Sequence, residues 1–178
     1  MAKRPIIFAL VAAIFFWGVS NHANATVLTV DGGWTTFNFG SLGSSWDQTF
    51  EFTLTNDVYM AVTDSYLSGD RFEVFNFGSS IGQTTMPTTL GDNIGALFLH
   101  NLYDSRWSSG LWWMPVDSYE ISGIAILSPY TVGLGAIQLF SEIPRRPPPI
   151  PEPTTMLLLG TGLVGVAGAA RRKRKNQV

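Results

Sequence analysis

Apolar and polar residues alternate along WDQTFEFTLT, and this two-residue period constrains the fold more than any other feature of the chain. In an extended strand, Phe50, Phe52 and Leu54 share one face, and the opposite face receives only polar residues. Such a strand is typical of an antiparallel sheet that is buried on one side. The segment VYMAVT repeats the pattern, and Asn56 and Asp57 between the two segments predict a close hairpin.

Short runs of the same kind continue along the chain and are broken by Gly, Asn, Asp, Ser and Pro, without a long helical period. In RFEVFNFGSSIGQTT the alternation shifts parity after Val74, which predicts a turn or bulge around Asn76 to Gly78. The count of about nine strands in ~120 residues predicts an all-β, antiparallel, jelly-roll-like β-sandwich ectodomain over residues 26–143. Its other strands are predicted at WTTFNF, IGALFLH, LWWMPV, SYEISGIAIL and LGAIQLF.

The N-terminal segment has the three parts of a secretory signal peptide. Two cations precede an uncharged apolar run over residues 6–19, and the small residues Ala23 and Ala25 follow. We therefore expect a signal helix within residues 1–25, use of the general secretion machinery, and cleavage by signal peptidase between Ala25 and Thr26. The alternative is an uncleaved anchor, but the apolar run is shorter than the ~20 residues that a span prefers.

Composition restricts the chemistry of the exported part. The chain contains no Cys, so disulfides and thiolate chemistry are excluded. Between Thr26 and Ile143 the only cations are Arg71 and Arg106, against twelve carboxylates, which gives a formal charge of −10. Binding to nucleic acid through phosphate neutralisation needs clustered Lys and Arg, so an acidic domain of this kind excludes that partner.

The C-terminal segment combines a proline-rich linker, an apolar run and a basic tail. Prolines in residues 144–153 predict an extended spacer. Residues 154–170 carry no charge, and a helix of this length spans about 25 Å, the minimum for a single transmembrane helix. The tail, residues 171–178, is expected to stay in the cytoplasm with the domain outside. Its cations are Arg171, Arg172, Lys173, Arg174 and Lys175.

Pro151, Glu152 and Pro153, followed by this apolar run and basic cluster, resemble the PEP-CTERM sorting signal of exopolysaccharide-producing Gram-negative bacteria. The resemblance implies recognition by exosortase, a membrane-embedded enzyme that resembles cysteine transpeptidases and would cut near the motif. The alternative is a plain single-pass anchor. The stretch VTDSYLSGDRFEVFNFGSSIGQTT also resembles β-sandwich ectodomains that accompany such signals, which implies the fold and no particular activity.

Four aspartates in predicted loops are candidate calcium ligands, because hard cations favour clusters of carboxylate oxygens. The alternative is that they are ordinary solvated side chains, and no other cofactor is expected. His100, at the end of a predicted apolar strand, is expected to be structural, and one His without Cys does not provide a zinc site. The candidate ligands are Asp64, Asp70, Asp92 and Asp104.

The segment YDSRWSSGLWW concentrates aromatic residues that would bind carbohydrate by stacking if exposed, or fill the core if buried. Adjacent Trp112 and Trp113 point to opposite faces if both lie in one strand, so one is expected in the core and the other outside. The candidate carbohydrate-binding residues are Tyr103, Trp107, Trp112 and Trp113.

The sequence indicates a protein that is not an enzyme. One histidine follows the signal segment, no Gly-x-Ser-x-Gly context is present, and no spacing selects a carboxylate pair. We expect an exported surface or extracellular-matrix protein of a Gram-negative bacterium, sorted and cleaved by exosortase. An exopolysaccharide-binding module and a small secreted hydrolase are the alternatives.

Overall fold

The computed structural model describes residues 24–149, together with Leu158 and Thr161. Within residues 24–149 the chain forms nine strands and one short helix. The elements are β1 (Asn24–Val27), β2 (Thr35–Gly40), β3 (Gln48–Thr53), β4 (Val58–Asp64), β5 (Arg71–Asn76), β6 (Ser79–Gln83), α1 (Phe98–Tyr103), β7 (Ser109–Met114), β8 (Ser118–Leu127) and β9 (Val132–Phe140).

The strands form two packed sheets, in the orders β1-β3-β8-β5-β6 and β2-β9-β4-β7. Strand β1 pairs with β3 in parallel, and the other pairs are antiparallel. From β2 to β9, each strand lies in the other sheet from the strand before it, except that β5 and β6 are neighbours. Eight strands arranged in this way form a jelly roll, which confirms the predicted fold class.

The core between the sheets is built from aromatic rings. Phe37 stacks on Trp46 with ring centroids 3.9 Å apart, and Phe72 packs edge-on against Phe37 at 5.5 Å. Two glycines make room for these rings: a Cβ added at Gly135 would lie 2.3 Å from Phe37, and one at Gly123 would lie 2.3 Å from Trp46. The predicted inward residues of the third and fourth strands are all buried, namely Phe50, Phe52, Leu54, Val58, Met60 and Val62.

The predicted hairpin between β3 and β4 is wrong. The two strands lie in different sheets, and the connection through Asn56 and Asp57 crosses the edge of the sandwich. Two apolar faces that both point into one core are compatible with neighbouring strands of one sheet and also with facing strands of two sheets. The alternation alone does not distinguish these arrangements.

The predicted strand at IGALFLH is also wrong, because this segment contributes the start of helix α1. Asn101 and Leu102 are buried, and Phe98 packs against Trp34 with ring centroids 5.7 Å apart. These three positions are spaced by three and four residues, so a helix turns them to one side. His100 therefore lies in a helix rather than at the end of a strand.

Helix α1 covers the outer face of the four-stranded sheet. Ala61 and Thr63 point outward from β4, yet both are fully buried. Trp34 connects this cover to the sheet, because its ring lies 5.7 Å from Phe98 and 5.7 Å from Phe140. The cover explains why β4, one of the two central strands of its sheet, is buried on both faces.

Several predicted features fall outside the residues that the structure describes. These are most of the signal segment with Ala23, the Pro151–Glu152–Pro153 triplet, the basic tail, and all of the apolar run except Leu158 and Thr161, which are helical. Ala25 lies in β1 opposite Thr49, so the predicted signal cleavage falls within this strand. In the part of the chain that is described, no helix combines the length and apolar character required to cross a bilayer.

Candidate functional site

Strand β7 is an edge strand of the four-stranded sheet and carries two of the predicted aromatic side chains. Trp112 faces inward, packs against the core, and donates a hydrogen bond from Nε1 to the carbonyl oxygen of Ile81 at 3.0 Å. Trp113 faces outward and is 58% exposed, beside Leu111, which is 40% exposed. The predicted opposite orientation of the two tryptophans is what the structure shows.

An open groove with a volume of about 320 Å³ lies along this edge. Its lining combines apolar surface from Leu111 and the indole of Trp112 with hydroxyl and amide groups. Such a mixture suits a neutral polar ligand with apolar faces. The lining residues are Gln83, Thr85, Leu102, Tyr103, Ser109, Gly110, Leu111 and Trp112.

The remaining two aromatic candidates, Trp107 and Tyr103, differ in their exposure. Trp107 is completely buried and donates from Nε1 to the carbonyl oxygen of Tyr66 at 3.3 Å. Burial prevents this ring from stacking on a sugar, which corrects its assignment as a binding residue. Tyr103 borders the groove, and its hydroxyl group donates a hydrogen bond to the carbonyl oxygen of Pro144.

Asp64 and Asp70 form a buried pair at one end of the sandwich, exposed by 0% and 1%. One carboxylate oxygen of Asp64 accepts the backbone N–H of Ser65 at 2.7 Å, and the other accepts that of Asp70 at 3.3 Å. The side chain of Asp64 thereby connects the first residue of the β4–β5 loop to its last residue. Oδ1 of Asp70 and Oδ1 of Asn101 are buried and have no hydrogen-bond partner among the residues that the structure describes.

Burial controls the charge of this pair. Desolvation first, and then the neighbouring carboxyl group of Asp70, raise the pKa of Asp64 to about 8. Desolvation also raises the pKa of Asp70 to about 6, opposed by a hydrogen bond with Ser128. At neutral pH the interior of the domain therefore retains a proton that exposed aspartates would have lost.

Asp92 and Asp104 are held by Arg106. The guanidinium group lies 3.1 Å from a carboxylate oxygen of Asp92 and 2.6 Å from one of Asp104. The hydrogen bond from Arg106 is the main reason that the pKa of Asp104 is lowered. The same guanidinium lies 4.9 Å from the ring centroid of Trp107.

The four candidate calcium ligands thus form two separate pairs in neighbouring loops. The loops are joined by the backbone, since Ser68 N–H donates to the carbonyl oxygen of Asp92 at 2.9 Å. Among the described residues, no three acidic, histidine or cysteine side chains are grouped as metal ligands. Calcium binding stays a prediction, and its test is calorimetry with calcium alone.

Sequence reasoning missed the polar residues that organise this end of the molecule. Asn101 donates from its side chain to the backbone oxygen of Asp64 at 3.1 Å, and Asp64 N–H donates to the oxygen of Ser108 at 2.9 Å. Thr84 accepts the backbone N–H of Phe72 at 2.9 Å. All of them are buried, yet Asn101, Ser108 and Thr84 are single polar residues in a helix or loop without a pattern that predicts burial.

The first part of the proline-rich linker lies against α1. Besides the contact of Tyr103 with Pro144, His100 Nε2 lies 3.2 Å from the carbonyl oxygen of Pro148, and Arg146 Nη2 lies 3.5 Å from that of Tyr103. Pro144 itself is buried. The linker therefore borders the same helix as the groove.

The fold and these sites define the class of the protein, which is a jelly-roll β-sandwich domain followed by a proline-rich linker. Residues 149–175 match the PEP-CTERM protein-sorting motif, so the chain carries this sorting signal directly after the described domain. The signal implies export, transient membrane anchoring and processing by exosortase.

Two solved structures with β-sandwich folds are similar to the chain. One is the pre-peptidase C-terminal domain of a collagenase from Bacillus anthracis, with 12% identity, 66% of this chain and 93% of that chain covered, and a TM-score of 0.34. The other is the C-terminal CBM6 of the laminarinase LamC from Zobellia galactanivorans, with 15% identity, 57% and 78% covered, and a TM-score of 0.32. The comparison with curated proteins gave no match.

Proposed function

We propose that this protein is an exported, non-enzymatic component of the cell surface or extracellular matrix of a Gram-negative bacterium. Its C-terminal signal inserts in the inner membrane with the domain outside, and exosortase then cuts near Pro151, Glu152 and Pro153. The observation that carries the proposal is the sorting motif at residues 149–175 immediately behind a folded domain. Removal of the signal would deliver the sandwich as the mature protein.

Burial of the paired carboxylates supports the non-enzymatic part of the proposal. A hydrolase that uses two carboxylates needs them in a cleft open to substrate. Asp64 and Asp70 are instead enclosed by loops, and Asp92 and Asp104 both form ion pairs with Arg106. The groove along β7 is lined by hydroxyl, amide and aromatic groups without a carboxylate.

The test is the intact mass of the protein recovered from a host that contains exosortase and from the same host without it. We expect a shorter chain, ending near the triplet, only in the first host. Glu152→Gln should reduce processing, and Glu142→Gln, which changes an exposed residue of the same type before the linker, should not. Identical masses from both hosts would contradict the proposal.

A second candidate function is carbohydrate binding at the edge of β7. The observation that favours it is the exposed ring of Trp113 beside Leu111, next to a groove lined by polar groups. Because the domain carries a formal charge of −10, it would repel anionic polymers. A neutral segment of exopolysaccharide is therefore the ligand class that fits.

Retention of the protein on columns of neutral polysaccharide tests this candidate. Trp113→Ala should abolish retention, because a stacking platform is lost. Phe77→Asn removes another exposed aromatic ring, 61% exposed and located in the β5–β6 turn, and should leave retention unchanged. Equal retention of both variants, or none for the unmodified protein, would argue against binding at this edge.

A further inference from the structure

The linker before the sorting signal is attached to the domain rather than free. Three contacts join it to α1: the hydroxyl group of Tyr103 donates to the Pro144 oxygen, His100 Nε2 lies 3.2 Å from the Pro148 oxygen, and Arg146 approaches the Tyr103 oxygen at 3.5 Å. Since a carbonyl oxygen only accepts, His100 must donate from Nε2. We call residues 144–148 the strap.

Electrostatics add to these contacts. The charge of Arg146 contributes to lowering the pKa of Asp104, so this cation lies within the field of the carboxylate that follows α1. Arg146 also lies near the C-terminal end of the helix, where carbonyl groups attract a cation. Pro144, at the start of the strap, is buried. The strap thus combines an apolar anchor with hydrogen bonds at both of its ends.

The strap ends where the sorting signal begins. The matched motif starts at residue 149, directly after Pro148, and Pro151 follows three residues after Pro148. Three residues reach at most about 10 Å. While the strap is docked, the length of the chain therefore limits Pro151 to about 10 Å, and Pro153 to about 17 Å, from Pro148 on the surface of the folded domain. Release of the strap back to the end of β9 would add eight residues of tether.

We propose that His100 and Tyr103 are positioning residues for processing, because docking of the strap holds the sorting triplet too close to the sandwich for a membrane-embedded enzyme. Cleavage then proceeds from the undocked state, and the strength of the α1–strap contact sets the processing rate. The proposal rests on the proposed processing by exosortase, but the docking itself does not depend on it.

Docking is measured first, on the full chain in mild detergent, with limiting trypsin. The bond after Arg145 lies within the strap, while the bond after Arg146 precedes proline and resists trypsin. Tyr103→Phe with His100→Leu removes both donors, and we expect the cut after Arg145, identified by mass, to become about tenfold faster. His100→Gln retains a donor and should stay close to the unmodified rate.

Tyr119→Phe is the matched control, because the Tyr119 hydroxyl group donates to the Pro115 oxygen at 2.8 Å, away from the strap. It removes the same type of hydrogen bond and should leave the cut after Arg145 unchanged.

Processing is measured next, by pulse labelling in the host with exosortase. The double variant should be processed severalfold faster than the unmodified chain, while His100→Gln and Tyr119→Phe match it. Unchanged trypsin kinetics in the double variant would overturn the docking, and unchanged or slower processing with a released strap would overturn the positioning role. If the unmodified chain is never processed, the proposed function fails, and the trypsin result still decides whether the strap docks.

Discussion

The buried carboxyl groups of Asp64 and Asp70 couple the stability of the domain to pH. Their pKa values in the folded state are raised to about 8 and about 6, above the ordinary value of 3.8. Between about pH 4 and pH 8, the folded state therefore binds more protons than the unfolded chain. Stability from this pair is fully present below about pH 4 and is lost as the pH rises to about 8.

We expect the free energy of unfolding to fall between pH 5 and pH 8, and Asp70→Asn should make this fall shallower. The substitution eliminates one buried charge and the repulsion that adds to desolvation in raising the pKa of Asp64, so the variant should be more stable at pH 8. The measurement is urea unfolding at several pH values. Asp117→Asn changes an exposed aspartate that also accepts a backbone N–H, and it should retain the original slope. A profile as steep in Asp70→Asn as in the unmodified protein would contradict the assignment.

The turn between β5 and β6 places Phe77 in an unfavourable backbone conformation, and a substitution there should stabilise the domain. Phe77 has φ +46° and Gly78 has φ +75°, the pair of positive values that a two-residue hairpin turn requires. Asn tolerates this conformation better than Phe. Because Phe77 is 61% exposed, its replacement loses little burial.

Phe77→Asn should therefore raise the free energy of unfolding by up to about 1 kcal/mol. Gly78→Ala should lower it by a similar amount, since it forces a Cβ into the same region. Urea midpoints of the two variants, compared with the unmodified protein, check both signs. A lower midpoint for Phe77→Asn would show that the Phe77 ring is packed in solution.

The same turn shows what local sequence does and does not determine. The parity shift after Val74 correctly placed a turn at Asn76 to Gly78, because β5 and β6 are neighbours in sequence and in one sheet. The β3–β4 connection has equally good turn residues and crosses between sheets. Whether two consecutive strands form a hairpin or lie in different sheets depends on pairings between strands far apart in sequence, such as β3 with β8 and β4 with β9.

The candidate sites follow the same division. The opposite orientation of Trp112 and Trp113 depends only on their being adjacent in a strand, and the sequence predicted it. Burial of Asp64 and Trp107 depends on loops that meet only in the folded molecule, as when Asp64 N–H donates to Ser108. Formation of helix α1 also depends on tertiary packing, because Phe98 and Leu102 pack on a sheet that exists only after β4 and β9 have paired.

Charge is distributed unevenly between the domain and the C-terminal tail. Residues 26–143 have a formal charge of −10, and the tail contains five consecutive cations from Arg171 to Lys175. Negative charge does little to oppose export, whereas a cluster of Lys and Arg resists transfer across the membrane at about 2.5–3.5 kcal/mol per charged residue in a helix centre. The sequence predicts that the apolar run of residues 154–170 is a minimal span, so we expect its retention in the membrane to depend strongly on these cations.

Replacement of all five cations by Gln should therefore allow the chain to cross the membrane completely instead of being retained in it. The measurement uses a host without exosortase, so that cleavage does not release the domain, and compares the membrane fraction after alkaline extraction with the soluble periplasmic fraction. The unmodified chain should stay with the membrane and the Gln variant should shift to the soluble fraction. Arg145→Gln with Arg146→Gln neutralises cations on the outer side and should leave retention unchanged. If the five-fold variant remained fully in the membrane, the apolar run alone would be sufficient to hold the chain, and the tail would have no role in stopping its transfer.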